Sequence, residues 1–129
     1  MLEGRRVLVV EDNEQNMELV EFLLEEAGAS VEKAVDADSL RSRLPAPPPD
    51  LVLMDMNLPG ADGLSLVAEV RDRAAWAAVP VVALTALAMR GDRERILAAG
   101  CQGYVAKPID VATFVSDVAR FVGPRGEGA

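Results

Sequence analysis

Three short apolar runs constrain this chain more than any other feature: Val7-Leu8-Val9-Val10, Leu51-Val52-Leu53-Met54 and Val81-Val82-Ala83-Leu84. None alternates apolar with polar residues. Each therefore reads as a strand covered on both faces, as in a parallel sheet held between helices. Weaker strand patterns follow at residues 30–34 and 103–106. Helical patterns separate them. After Glu11-Asp12-Asn13, the residues Met17, Val20, Leu23, Leu24 and Ala27 share one stripe, and Gly28 ends it. Asp36 or Asp38 is expected to cap a short helix through Leu44. Pro45-Ala46-Pro47-Pro48-Pro49 is stiff and extended and joins that helix to the next strand. Further helices are expected over 63–75, with Trp76 as a packing anchor at its end, and from Gly91 or Asp92 to about Ala99. Asp110 is expected to cap a last helix with Val111, Phe114, Val115 and Val118 on one face.

Five strands alternating with five helices imply parallel βαβ units with right-handed crossovers, and a doubly wound three-layer α/β/α sandwich is the economical solution. The length of 129 residues suits one domain. We expect it to fill residues 1–122, leaving 123–129 as a short tail and no output domain.

Composition removes several functions. There is no His, which excludes a His-based triad, a His-dependent zinc site and a phosphohistidine. The one Cys, Cys101, excludes an internal disulfide and reads as structural. A net charge of −8 argues against binding nucleic acid by neutralising phosphates. No apolar run approaches a membrane span and no signal peptide is present, so a cytoplasmic protein is expected. The acidity is lopsided: residues 1–62 hold 14 acids and 5 bases (−9), and residues 63–129 hold 7 acids and 8 bases (+1).

In open α/β sheets, ligands bind outside the carboxyl ends of the strands. There the sequence places Glu11 and Asp12 after strand 1, Asp55 after strand 3, Thr85 after strand 4 and Lys107 after strand 5. Taken singly, each has an ordinary reading as a cap, turn or solvated residue. Together they place three carboxylates, a hydroxyl and an ammonium on one edge. Three carboxylates repel one another and call for a divalent cation, and hard oxygen ligands suit Mg²⁺. A carboxylate can also take a phosphoryl group as a nucleophile. Asp55, alone at the end of the central strand, is the best candidate. Glu11 and Asp12 would hold the metal, while Thr85 and Lys107 would neutralise charge on the transferred group.

The stretches VLVVEDN, LVLMDMNLPGADG, VVALTA and GYVAKPI, in this order, resemble the receiver domain of two-component response regulators, the CheY-like superfamily. VEDNEQNMELV and TALAMRGDRERILAAGC are similar to the single-domain, DivK-type receivers. The resemblance covers about residues 5–122. It implies the flavodoxin-like strand order 2-1-3-4-5 and a set of roles. Asp55 would be the phosphoacceptor, in a reaction dependent on Mg²⁺, with Mn²⁺ as a substitute. Asp12 and Asp55 would bind the metal directly, Asn57 through its backbone carbonyl, and Glu11 through water. Thr85 would hydrogen-bond the phosphoryl group and Lys107 would pair with it. Lys107-Pro108 would be a cis peptide. Tyr104 would be a switch aromatic, although on the residues alone it is equally a core residue. Asn57 and Leu87 would tune rates. The donor would be a sensor histidine kinase or a histidine phosphotransfer protein, and the output a downstream protein target meeting helix 4, strand 5 and helix 5.

Two surfaces stay open at this level. Helix 4 begins with the polar stretch Arg90-Gly91-Asp92-Arg93-Glu94-Arg95, which suits either an ordinary solvated turn or a segment able to shift. Glu14, Glu18, Glu21 and Glu25 form a stripe on helix 1, either a solubility face or a docking face for a partner of complementary charge. Other classes fit less well. A haloacid-dehalogenase-type phosphohydrolase wants an Asp two residues after the nucleophile, where Asn57 stands. A flavodoxin-like FMN carrier would meet Glu11 and Asp12 where it needs to cradle a phosphate.

Overall fold

The structure, a computed structural model, describes residues 1–86 and 90–122. Five strands are formed: β1 (Arg6–Val10), β2 (Ser30–Ala34), β3 (Leu51–Asp55), β4 (Val81–Thr85) and β5 (Gly103–Ala106). All pair in parallel, in the order β2-β1-β3-β4-β5. The helices are α1 (Glu14–Glu26), α2 (Ala37–Arg43), α3 (Gly63–Asp72), α4 (Arg90–Ala98) and α5 (Phe114–Val122). This is the flavodoxin-like three-layer sandwich that the strand pattern and the resemblance led us to expect.

Side chains alternate across a strand, so a strand apolar at every position feeds two cores. Val7, Val9, Leu51, Leu53, Val82 and Leu84 pack with Met17, Val20 and Leu24 of α1 and with Phe114 and Val118 of α5. Leu8, Val10, Val52, Met54, Val81 and Ala83 pack on the other side with Leu40 of α2, Leu66, Val67 and Val70 of α3, and Ile96 of α4. Side-chain caps start three of the helices. Asn13 accepts from the Asn16 N–H at 2.9 Å, Asp36 from Ser39 at 2.7 Å and Asp62 from Leu64 at 3.1 Å. After α1 the chain passes through Gly28 at φ +98°, where a Cβ would lie 2.9 Å from the Glu3 Cα. Gly28 therefore admits both the left-handed turn and the close approach of the N-terminal segment.

Three sequence expectations shift. The third helix stops at Asp72, not at residue 75, because Arg73 is extended (ψ 118°). A separate 3₁₀ turn, Ala74–Trp76, then carries Trp76 into the core, where its indole N–H donates to the Leu44 carbonyl at 3.1 Å. The fourth helix already includes Arg90. The last begins at Phe114, because the Asp110 carboxylate accepts from the Ala112 N–H at 3.0 Å and its carbonyl accepts from Thr113 and Phe114. That turn leaves Val111 exposed, off the buried face. Leu87 and residues 123–129 lie outside the described residues.

Far from the carboxyl edge, one guanidinium joins several elements. Arg71 donates to the carbonyls of Gly100 (2.7 Å), Val79 (2.6 Å) and Ala77 (3.1 Å) and to Gln102 Oε1 (2.9 Å). Gln102 Oε1 also accepts from the Val81 N–H at 2.8 Å. Among the described residues no helix is long and apolar enough to cross a membrane.

Candidate functional site

Strand parity decides which side chains meet at the carboxyl edge. The ladder continues past β1, where the Glu11 N–H donates to the Ala34 carbonyl at 3.0 Å, and past β5, where the Lys107 N–H donates to the Thr85 carbonyl at 2.9 Å. Glu11 thus extends the column of Val7 and Val9, Asp55 that of Leu51 and Leu53, and Lys107 that of Val105. All three columns belong to the α1/α5 side of the sheet. Thr85 has the parity of Val81 and Ala83 and leans to the other side, beneath α4.

The result is a compact charge cluster. The Lys107 ammonium stands 3.1 Å from Asp55 Oδ1 and 3.0 Å from Glu11 Oε1. Glu11, Asp55 and Thr85 are buried, at 1%, 1% and 2% exposure. The Asn57 N–H donates to Asp55 Oδ1 at 2.9 Å and the Asn13 N–H to Glu11 Oε2 at 3.1 Å. Burial pushes the Glu11 carboxyl above its ordinary range, and the neighbouring Asp55 adds to the effect. Burial pushes Asp55 up as well, but Glu11, the Asn57 N–H and Lys107 outweigh it and hold Asp55 below the usual carboxylate range. Lys107 loses solvation, yet the two carboxylates beside it raise its pKa on balance.

Could these residues hold a divalent cation? Glu11, Asp12 and Asp55 each bring a carboxylate oxygen within 4.8 Å of the others. Three carboxylates and one ammonium leave a formal charge of −2, which one divalent cation cancels. Glu11 Oε1 is buried and makes no hydrogen bond, since its contact with Lys107 is an ion pair without hydrogen-bond geometry. Such an oxygen wants a further positive partner. Asp12 is exposed and leaves the cluster open to solvent. The donor set is hard oxygen throughout, so it fits Mg²⁺ or a similar ion.

The remaining predicted residues are near by. Asn57 lies on the turn after β3, and the Lys107–Pro108 peptide is cis. Tyr104 is half-buried against the α2/α3/α4 core and lines a separate cavity with Leu97 and Phe121. Sequence reasoning missed two contacts. Lys107 pairs with Glu11 as well as with Asp55. Asp62, Asp92 and Arg95 line a cleft with Thr85 and Asn57. The i, i+3 spacing of Asp92 and Arg95 was visible, but only the crossover after β4 brings them to the site.

Sheet order and rim chemistry define a doubly wound α/β module with a buried acidic cluster at its carboxyl edge, and sequence comparison assigns its family. The chain belongs to the response regulator receiver domain family, which it matches over residues 7–119. It is 37% identical over 119 residues to the polar-differentiation response regulator DivK of Brucella ovis, covering 92% of this chain and 97% of that one. It is 38% identical to the receiver domain of the sensor histidine kinase PA1611 from Pseudomonas aeruginosa, with TM-score 0.82 over 94% and 99% of the two chains. That structure has a magnesium ion coordinated in its active site cleft. The chemotaxis response regulator CheY4 of Vibrio cholerae is 26% identical, with TM-score 0.86 over 91% and 98%.

Proposed function

We propose that Asp55 is the phosphoacceptor of this receiver. The donor is a phosphohistidine on a sensor histidine kinase or a histidine phosphotransfer protein, since the chain has no His of its own. An Asp55 carboxylate oxygen attacks phosphorus, the O–P bond forms, and the P–N bond to the donor imidazole breaks. Lys107, in contact with Asp55, balances charge on the phosphoryl oxygens, and the Thr85 hydroxyl donates to one of them. Asp12 and Asp55, the Asn57 carbonyl, and Glu11 through water would hold Mg²⁺, or Mn²⁺ in its place, which neutralises the phosphoryl oxygens when bound. Thr85 and Tyr104 then pass the change to the surface of α4, β5 and α5, which meets a downstream protein target. Asn57 and Leu87 flank the site and tune the lifetime of the phosphorylated state. The protein assists its own phosphorylation and autodephosphorylation and is otherwise not an enzyme. It works in the cytoplasm, through proteins, with no role for nucleic acid or membrane.

The observation that carries this reading is the buried Lys107–Asp55 contact at the carboxyl edge, 3.1 Å long, beside two further carboxylates. The test is incubation with acetyl phosphate or phosphoramidate, with and without Mg²⁺, followed by intact mass. One phosphoryl increment is expected on the native chain with Mg²⁺, and none on Asp55→Asn or on chelator-treated protein. An increment that persists in Asp55→Asn would refute the assignment.

A further inference from the structure

A cleft of about 230 Å³ opens between the turn after β3 and the start of α4. It shares two walls with the Asp55 site. Thr85 lines it, and so does Asn57, whose N–H holds Asp55 Oδ1. Among the described residues three charged side chains also face it: Asp62, Asp92 and Arg95. Asp62 is committed to the start of α3, accepting from the Leu64 N–H at 3.1 Å and the Ser65 hydroxyl at 3.2 Å. Asp92 and Arg95 form an ion pair with each other. Their environments differ. The Asp92 side chain is 16% exposed and turned into the cleft, whereas Arg95 is 68% exposed and reaches it from the solvent side.

A phosphoryl group on Asp55 puts nearly two negative charges beside Thr85, and therefore beside this cleft. A shielded carboxylate there opposes that charge, because water screens it poorly. A guanidinium there favours it and can exchange a carboxylate partner for a phosphate one. We infer, building on the assignment of Asp55, that Asp92 and Arg95 are positioning residues that set how fully Asp55 is phosphorylated, with opposite signs. Asp92 disfavours the phosphorylated state and Arg95 favours it. Their mutual pairing sets the balance, so the start of α4 senses the phosphoryl charge directly as well as through Thr85.

The test compares native protein with Asp92→Asn, Arg95→Gln, Asp92→Glu and Arg95→Lys. Each receives acetyl phosphate and Mg²⁺, and intact mass follows the rise and the decay of the phosphorylated form. An i, i+3 pair whose arginine is open to solvent adds little to stability, so these variants are expected to fold, and far-UV circular dichroism checks it. The ratio of phosphorylation rate to decay rate is expected to rise about fivefold in Asp92→Asn and to fall about fivefold in Arg95→Gln. The charge-retaining variants stay near native, and the Arg95→Gln difference shrinks in 1 M KCl, where the Debye length is about 3 Å. Shifts in the same direction for both neutral variants would overturn the inference, as would shifts equally large in the charge-retaining ones, or no shift at all. A native chain that folds but takes no phosphoryl group refutes the Asp55 assignment itself, and the role of the pair with it.

Discussion

Lys107 is the residue on which the site's electrostatics turn. It is mostly buried and answers two buried carboxylates at 3.0 and 3.1 Å. Removing one partner of a buried ion pair typically costs about 3–5 kcal/mol, because the other charge is left unpaired. Lys107→Met should therefore lower metal-free stability by about 3 kcal/mol at pH 7, measured by urea unfolding. The loss should shrink as pH falls, because protonating Glu11 and Asp55 removes the uncompensated charge. Cys101 titrates at the other extreme. Burial raises its thiol from 9.0 to about 11, with the nearby Arg71 charge pulling slightly the other way. A group raised by folding contributes stability that is whole below its unfolded value and is lost as pH climbs through its folded value. Thermal midpoints of native protein should thus fall more steeply between pH 9 and 11 than those of Cys101→Ala. Equal slopes would refute this. Glu11, Asp55, Thr85 and Lys107 were legible in the sequence because each sits at the carboxyl end of a strand, Asp55 and Thr85 as its last residue and Glu11 and Lys107 as the next one, and the strands were plain. The Lys107–Glu11 pair and the Asp92–Arg95 approach to Thr85 were not, because they depend on side-chain reach across elements far apart in the chain.

At the scale of elements, the apolar runs located the strands closely, since continuous burial leaves little choice of boundary. Helix ends were harder to read. Leu64, Leu66, Val67 and Val70 give a helical period, but nothing in that period marks the extended Arg73 that frees Trp76 to turn inward. Val111 fitted the stripe of α5 by spacing and lies outside it by geometry. Two glycines separate propensity from packing. Among the described residues nothing lies within 4 Å of where a Cβ on Gly91 in α4 would stand. Gly91→Ala should therefore stabilise the fold by about 1 kcal/mol, seen as a higher urea midpoint at unchanged slope. At Gly103 in β5 a Cβ would lie 2.5 Å from the Phe121 ring. Gly103→Ala must displace the Phe121 ring and should cost about 1–3 kcal/mol in the same measurement. A neutral Gly103→Ala would mean that Phe121 yields freely.

Across the whole molecule, the acidity of the first half divides into two surfaces. Glu11, Asp12 and Asp55 belong to the site. The stripe on α1 is separate and not uniform, since Glu21 pairs with Lys33 at 3.3 Å while Glu14, Glu18 and Glu25 face solvent beside the exposed Phe22. Whether the stripe is a docking face for a partner of complementary charge or a solubility face is decided by a charge reversal. Reversing Glu18 and Glu21 to Lys should slow transfer from a phosphorylated histidine phosphotransfer protein and leave phosphorylation by acetyl phosphate unchanged. Equal slowing of both would assign the stripe to the fold. The bonds of Arg71 have a mechanical meaning at this scale. They fasten Gly100 and Gln102, just past α4, to the start of β4 and to the 3₁₀ turn, while the opposite end of α4 borders the Thr85 cleft. These bonds hold the carboxyl end of α4, and the end that borders Thr85 is the one on which charge added at Asp55 would act.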